Sequence, residues 1–116
     1  RVNDYKADWV VEKIKERVGK FEKEKGRVPT IACMGLAFKP DIDDLRESPA
    51  LYIAKKISRY TTINVVEPNI ETCKDLNLVS FNDGLNMDIC IYLVAHSQFK
   101  DVSLKVSDMN FCGGIE

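Results

Sequence analysis

Histidine is almost missing from this chain: His96 is the only one in 116 residues. The four cysteines, Cys33, Cys73, Cys90 and Cys112, contain no Cys-x-x-Cys pair. With one histidine and no close thiol pair, the chain carries no recognisable zinc motif. An excess of one charge is also missing. Seventeen Lys and Arg stand against 18 Asp and Glu, a net charge of −1 with His neutral. That balance gives no field for nucleic acid or for an anionic membrane surface, so neither is expected as a partner. Long apolar runs are absent too. The longest, Ile89 to Ala95, falls far short of the roughly 20 residues a bilayer requires. The polar N-terminus has no secretory pattern. The chain opens on Arg1 rather than Met, and it reads as a piece of something longer.

What is present is ordinary for a folded domain. Hydrophobic residues make up 45% and charged residues 30%, which argues against disorder. A chain of this size forms one domain and hides roughly two-thirds of its extended surface on folding. Cys33 and Cys90 lie in apolar, strand-like runs and no cysteine is flanked by an obvious base. They are expected as buried reduced thiols rather than nucleophiles, and a reducing cytoplasm suits them.

Periodicity then orders the chain. Tyr5, Trp9, Val10, Ile14, Val18 and Phe21 recur at helical spacing and predict a helix over 4–25, with Gly26 as its stop and Pro29 beyond. Residues 30–36 predict a buried strand. Ser48-Pro49 has the form of an N-cap followed by a first-turn proline, opening a helix that ends near Tyr60. Strand 62–66 follows, then a short helix near 69–76, a short strand at 78–81, and a turn or helix over 82–87. The most apolar strand, 88–95, is placed centrally, and a last strand is expected near 109–112. A helix followed by repeated strand–helix units predicts an α/β fold: a Rossmann-like three-layer α/β/α domain with a parallel sheet, preceded by a long helix. In such sheets ligands bind beyond the carboxyl ends of the strands, at the switch point. That directs attention to 35–48, 67–69 and 95–98.

The segment Gly35-Leu36-Ala37-Phe38-Lys39-Pro40-Asp41-Ile42-Asp43-Asp44-Leu45-Arg46-Glu47-Ser48-Pro49 is the most informative. It lies between the first strand and its helix, where nucleotide folds place phosphates. It is neither Gly-x-Gly-x-x-Gly nor a P-loop. Its useful groups are the cations Lys39 and Arg46, the apolar ring of Phe38, and backbone amides at the Ser48 helix end. Those suit a nucleotide diphosphate. The bland alternative pairs Lys39 and Arg46 with Asp41, Asp43 and Glu47 on a solvated loop. Asp41, Asp43 and Asp44 do not make a calcium loop, because the sixth-position glycine and twelfth-position acid are missing, and no metal is expected.

The same run, continued through Ala50, resembles the C-terminal domain of the UDP-sugar dehydrogenases of the UDP-glucose/GDP-mannose dehydrogenase family. Val65-Val66-Glu67-Pro68-Asn69, His96-Ser97-Gln98-Phe99-Lys100 and the opening Arg1-Val2-Asn3-Asp4 extend the likeness over nearly the whole chain. The resemblance implies 1–26 as the end of a central connecting helix and 27–116 as the C-terminal UDP-sugar-binding domain. It implies an NAD-dependent, two-step oxidation of a sugar alcohol to a carboxylate, serving polysaccharide biosynthesis, in a cytoplasmic enzyme that is a homodimer when intact. NAD and a catalytic cysteine would belong to the other domains of the same polypeptide, so no residue here is assigned as catalytic and the fragment alone is expected to be inactive.

Carried over residue by residue, the resemblance assigns Phe38 and Lys39 to the nucleotide sugar, with Leu36 in contact beside them, and Arg46 to NAD across the cleft. One departure stands out. Many members carry a basic residue after an aspartate in the last strand, in some of them against the UDP, and Asp108-Met109-Asn110-Phe111-Cys112-Gly113-Gly114 has none. His96 is read as a structural residue bonding a nearby backbone group, with substrate contact as the alternative. Glu67 ends the second strand, where a dinucleotide fold binds a ribose hydroxyl, and it is not assigned to NAD. UDP-glucose and UDP-N-acetylglucosamine dehydrogenases share most of the long loop, so the sugar stays open. A non-catalytic nucleotide-binding or assembly module, built around the apolar stripe of the first helix, is the reading from a different class.

Overall fold

The computed structural model describes residues 4–36, 48–67 and 76–111, with side chains from Ala7 onward. Helix α1 (Asp4–Lys25) runs over the predicted span. It ends where Gly26 takes a φ of 73° and its amide bonds the Glu22 carbonyl at 2.9 Å, a conformation that residues with a Cβ rarely adopt. The buried stripe is Ala7, Val10, Val11, Ile14, Val18 and Phe21, stepping by three and four residues as a helix against a core must. Trp9 departs from expectation. It lies outside those steps and is 52% exposed. Its ring meets Phe111 edge-on at 6.3 Å, with the Lys13 amine 5.5 Å from its centroid.

Strand β1 (Ile31–Met34) is followed by α2 (Pro49–Tyr60), β2 (Asn64–Val66), β3 (Asn77–Leu78), α3 (Phe81–Leu85), β4 (Ile89–Tyr92) and β5 (Met109–Asn110). A 3₁₀ turn covers Ser97–Phe99. The expected strand at 78–81 begins one residue earlier and yields to α3 at Phe81, because the Ser80 hydroxyl accepts from the Asp83 amide and caps a helix there. The short helix expected near 69–76 falls almost wholly on residues outside those described.

All pairings are parallel, in the order β3-β2-β1-β4-β5. The middle strand is therefore β1, not the more apolar β4, which lies between β1 and β5. Both are fully buried along their length, as expected when helices cover both faces of a parallel sheet. Alternation divides the core. Ile31, Cys33, Val65, Ile89 and Ile91 join α1 and α2 on one face. Ala32, Met34, Val66, Cys90 and Tyr92 join Phe99, Phe81 and Leu85 on the other. The result is the expected three-layer arrangement. Cys33 and Cys90 are free thiols and both are buried.

At the amino end of the sheet, one carboxylate ties β1 to β4. Asp88 accepts from Arg27 through both oxygens, at 2.7 and 3.0 Å, and from the Thr30 amide and hydroxyl at 2.8 and 3.1 Å. Among the described residues no helix is long and apolar enough to cross a membrane.

Candidate functional site

The order β3-β2-β1-β4-β5 reverses direction between β1 and β4, so the switch point lies at the carboxyl ends of those two strands. Gly35 makes the turn out of β1. Its φ is 100° and its amide donates to the Val66 carbonyl at 2.8 Å. A Cβ here would meet the Val94 Cβ at 2.7 Å and the Val94 amide nitrogen at 3.2 Å. The glycine thus lets the chain leaving β1 pass directly against the chain leaving β4. The Met34 carbonyl completes that contact by accepting from the Leu93 amide at 3.0 Å.

Leu36 comes next and is completely buried. Its amide donates to Glu67 Oε1 at 2.7 Å, and its carbonyl accepts from the Ser48 hydroxyl at 2.5 Å. Ser48 has the predicted capping role as well: its Oγ accepts from the Leu51 amide at 3.2 Å, and Pro49 occupies the first turn of α2. Glu67 follows β2. The same Oε1 lies 2.9 Å from His96 Nε2, with both side chains almost fully shielded from water. A carboxylate oxygen can only accept, so the imidazole form that fits carries its proton on Nε2. His96 itself is held by its amide on the Val94 carbonyl at 3.0 Å and by an edge contact with Phe99 at 5.6 Å between centroids.

The sequence reading of His96 as structural anticipates a backbone partner. The side chain meets Glu67, 29 residues away. In the sequence Glu67 stands out only for its position at a strand end. The signal available was that both residues directly follow the carboxyl ends of parallel strands, but only the strand order shows that β2 and β4 flank the same β1. Of the residues assigned to ligands, Leu36 is placed at this edge, buried and bonded through its backbone. Phe38, Lys39 and Arg46 lie outside the described residues, as do Asp41, Asp43 and Asp44. Among the described residues no cluster of three or more His, Cys, Asp or Glu side chains forms a metal site.

An apolar hollow of about 160 Å³ lies on the same sheet face as α1 and α2, lined by Ala7, Val10, Pro49, Ile53, Leu93 and Phe111. On the other face, Cys90 has a neighbour that the sequence did not suggest: Lys105 Nζ is 3.3 Å from its sulfur. Burial pushes the Cys90 thiol up, Asp108 adds to this, and the lysine does not reverse it. Burial alone pushes the Cys33 thiol up to about 12. Neither is a ready thiolate nucleophile at neutral pH.

A five-stranded parallel sheet with a core on each face defines the class: a Rossmann-like α/β domain, a fold in which ligands bind at the switch point. Comparison with known proteins makes this specific. Residues 32–110 match the model of the UDP-glucose/GDP-mannose dehydrogenase family, UDP binding domain, and the chain belongs to that family. It is 43% identical to UDP-N-acetyl-D-mannosamine dehydrogenase of Campylobacter jejuni, over 96% of this chain and 28% of that protein. It is 42% identical to the Yersinia pestis protein of the same name, over 87% of this chain and 27% of that one. The chain thus spans little more than a quarter of these relatives. The native structure of the Staphylococcus aureus UDP-N-acetyl-mannosamine dehydrogenase superposes with a TM-score of 0.80 at 21% identity, covering 98% of this chain and 28% of that one. That likeness shows the fold.

Proposed function

We propose that this chain is the UDP-binding part of an NAD-dependent UDP-N-acetyl-D-mannosamine 6-dehydrogenase. The observation that carries this reading is the 42–43% identity to proteins of that name, over 87–96% of this chain. Residues 1–26 would end the helix that joins this domain to the rest of the polypeptide, and 27–116 would hold UDP. Phe38 offers an apolar face and Lys39 a cation to the nucleotide sugar, and Leu36 anchors the start of that segment. Arg46 would reach the NAD held mainly by the other domain. NAD, when bound, would supply hydride acceptance for two successive oxidations, alcohol to aldehyde and, after a thiol adds to the aldehyde, thiohemiacetal to thioester. Hydrolysis of the thioester then releases the uronic acid. The nucleophilic cysteine of that sequence would belong to a region that the longer relatives have and this chain does not span, in keeping with the elevated thiols of Cys33 and Cys90. The intact enzyme would work as a homodimer in the cytoplasm.

Isothermal titration of the 116-residue chain with UDP tests this. Weak binding is expected, at least tenfold weaker in Lys39→Ala, as for loss of one charge-assisted phosphate contact. No heat of binding at millimolar UDP would remove the reading, and equal affinity in the variant would remove Lys39 from the site. The same chain given UDP-N-acetylmannosamine and NAD is expected to make no NADH. A preference for UDP-glucose or UDP-N-acetylglucosamine by the complete protein would change the sugar and leave the UDP site standing.

A further inference from the structure

We infer that Ser48, Glu67 and His96 are positioning residues that act through one hub, the backbone of Leu36. Both polar groups of that peptide are taken by side chains from distant segments: the amide by Glu67 Oε1 at 2.7 Å, the carbonyl by the Ser48 hydroxyl. The same carboxylate oxygen holds His96 Nε2 at 2.9 Å. The chain leaving β1, the chain leaving β2, the chain leaving β4 and the start of α2 are thereby locked at a single residue. Leu36 and His96 are fully buried, and Ser48 and Glu67 are 4% exposed.

Two features distinguish this from ordinary packing. A buried carboxylate–imidazole pair carries a desolvation penalty that apolar residues of the same volume would avoid. And the pair stands at the switch point rather than elsewhere in the core. Glu67 bonds the residue from which segment 37–47 departs, and Ser48, the residue to which that segment returns, bonds the same Leu36. Groups that must meet a ligand within a fraction of an ångström need such support from buried hydrogen bonds. The inference rests on the proposed UDP site in that segment, and the test separates the two.

Ser48 allows the separation, because its hydroxyl has two duties: it accepts from Leu51 as a helix cap and donates to Leu36. Ser48→Thr keeps both. Ser48→Asp keeps the acceptor for the cap and has no hydrogen to give Leu36. Ser48→Ala keeps neither and introduces no new charge, so it serves if the aspartate variant does not fold. Three measurements on the 116-residue chain are needed: melting temperature, UDP affinity by calorimetry, and amide exchange at Leu36 and across 37–47. Ser48→Thr is expected to match the parent. Ser48→Asp or Ser48→Ala, and Glu67→Ala, are expected to lose about tenfold in UDP affinity and to exchange the Leu36 amide at least tenfold faster. Glu67→Gln, which keeps an oxygen for that amide, is expected to recover part of both. A folded Ser48→Ala or Glu67→Ala chain with unchanged Leu36 exchange and UDP affinity within twofold of the parent overturns the inference. If the parent itself does not bind UDP while exchange across 37–47 still responds to these changes, the positioning stands and the identity of the ligand falls.

Discussion

Gly35 shows how much one residue can decide. Its backbone is in the left-handed region, and the space a side chain would fill is occupied by Val94. Gly35→Ala meets two costs at once, a strained φ and a Cβ 2.7 Å from a neighbouring Cβ. We expect a loss of about 3 kcal/mol in a urea unfolding curve. The contact is between the segments leaving β1 and β4, so the same variant should disturb the Leu36 hub before it disturbs the far end of the sheet. Cys33 illustrates the opposite case, a residue whose chemistry the fold silences. Complete burial drives its thiol up to about 12, which leaves it a small apolar filler between β1 and the helices.

Between elements, Asp88 links the start of β4 to Arg27 and Thr30 ahead of β1. The Arg27 guanidinium beside it, with help from the Thr30 amide and hydroxyl and against the effect of burial, holds its carboxyl well below the usual carboxylate range. The sign of the pH effect follows. A carboxyl depressed in the folded state contributes stability in full above its unfolded value of about 4 and loses it as pH falls through that value toward the folded one. Melting temperatures recorded from pH 7 to pH 3 should therefore drop in the parent chain below about pH 5. Asp88→Asn should melt lower at pH 7 and show a shallower decline, with the two curves converging in acid. A parallel pair of curves would mean that the ion pair contributes nothing at neutral pH. The Arg27 side chain is largely exposed, so added salt should narrow the gap at pH 7.

At the scale of the molecule, α1 belongs to the core. Ile14 and Val18 are completely buried, and α1 shares one apolar cluster with α2 and with β1, β2 and β4. The proposed connecting helix is thus also half of one layer of this domain. A chain of residues 27–116 would lose the α1 side of that cluster, and is expected to lose cooperative thermal unfolding. A sharp transition near that of the 116-residue chain would show that the sheet and α2 suffice. This arrangement also bears on the assembly-module reading: among the described residues of that stripe, Ile14 and Val18 are covered by their own domain, while Trp9 is half exposed beside Phe111.

The long helix, the capped start of α2, the parallel α/β class and the family were all legible in the amino acids. They depend on short-range spacing, on Ser48-Pro49, and on one long unbroken run of loop residues. The choice of β1 over β4 as the middle strand was not legible, because a strand buried on both faces looks equally apolar in either place. Nor was the turning of Trp9 toward solvent, which depends on which side of α1 the sheet happens to lie. The meeting of His96 with Glu67, and of Glu67 with the Leu36 amide, was decided by tertiary structure alone. Each of the three follows a different parallel strand, and only the strand order places those strand ends side by side.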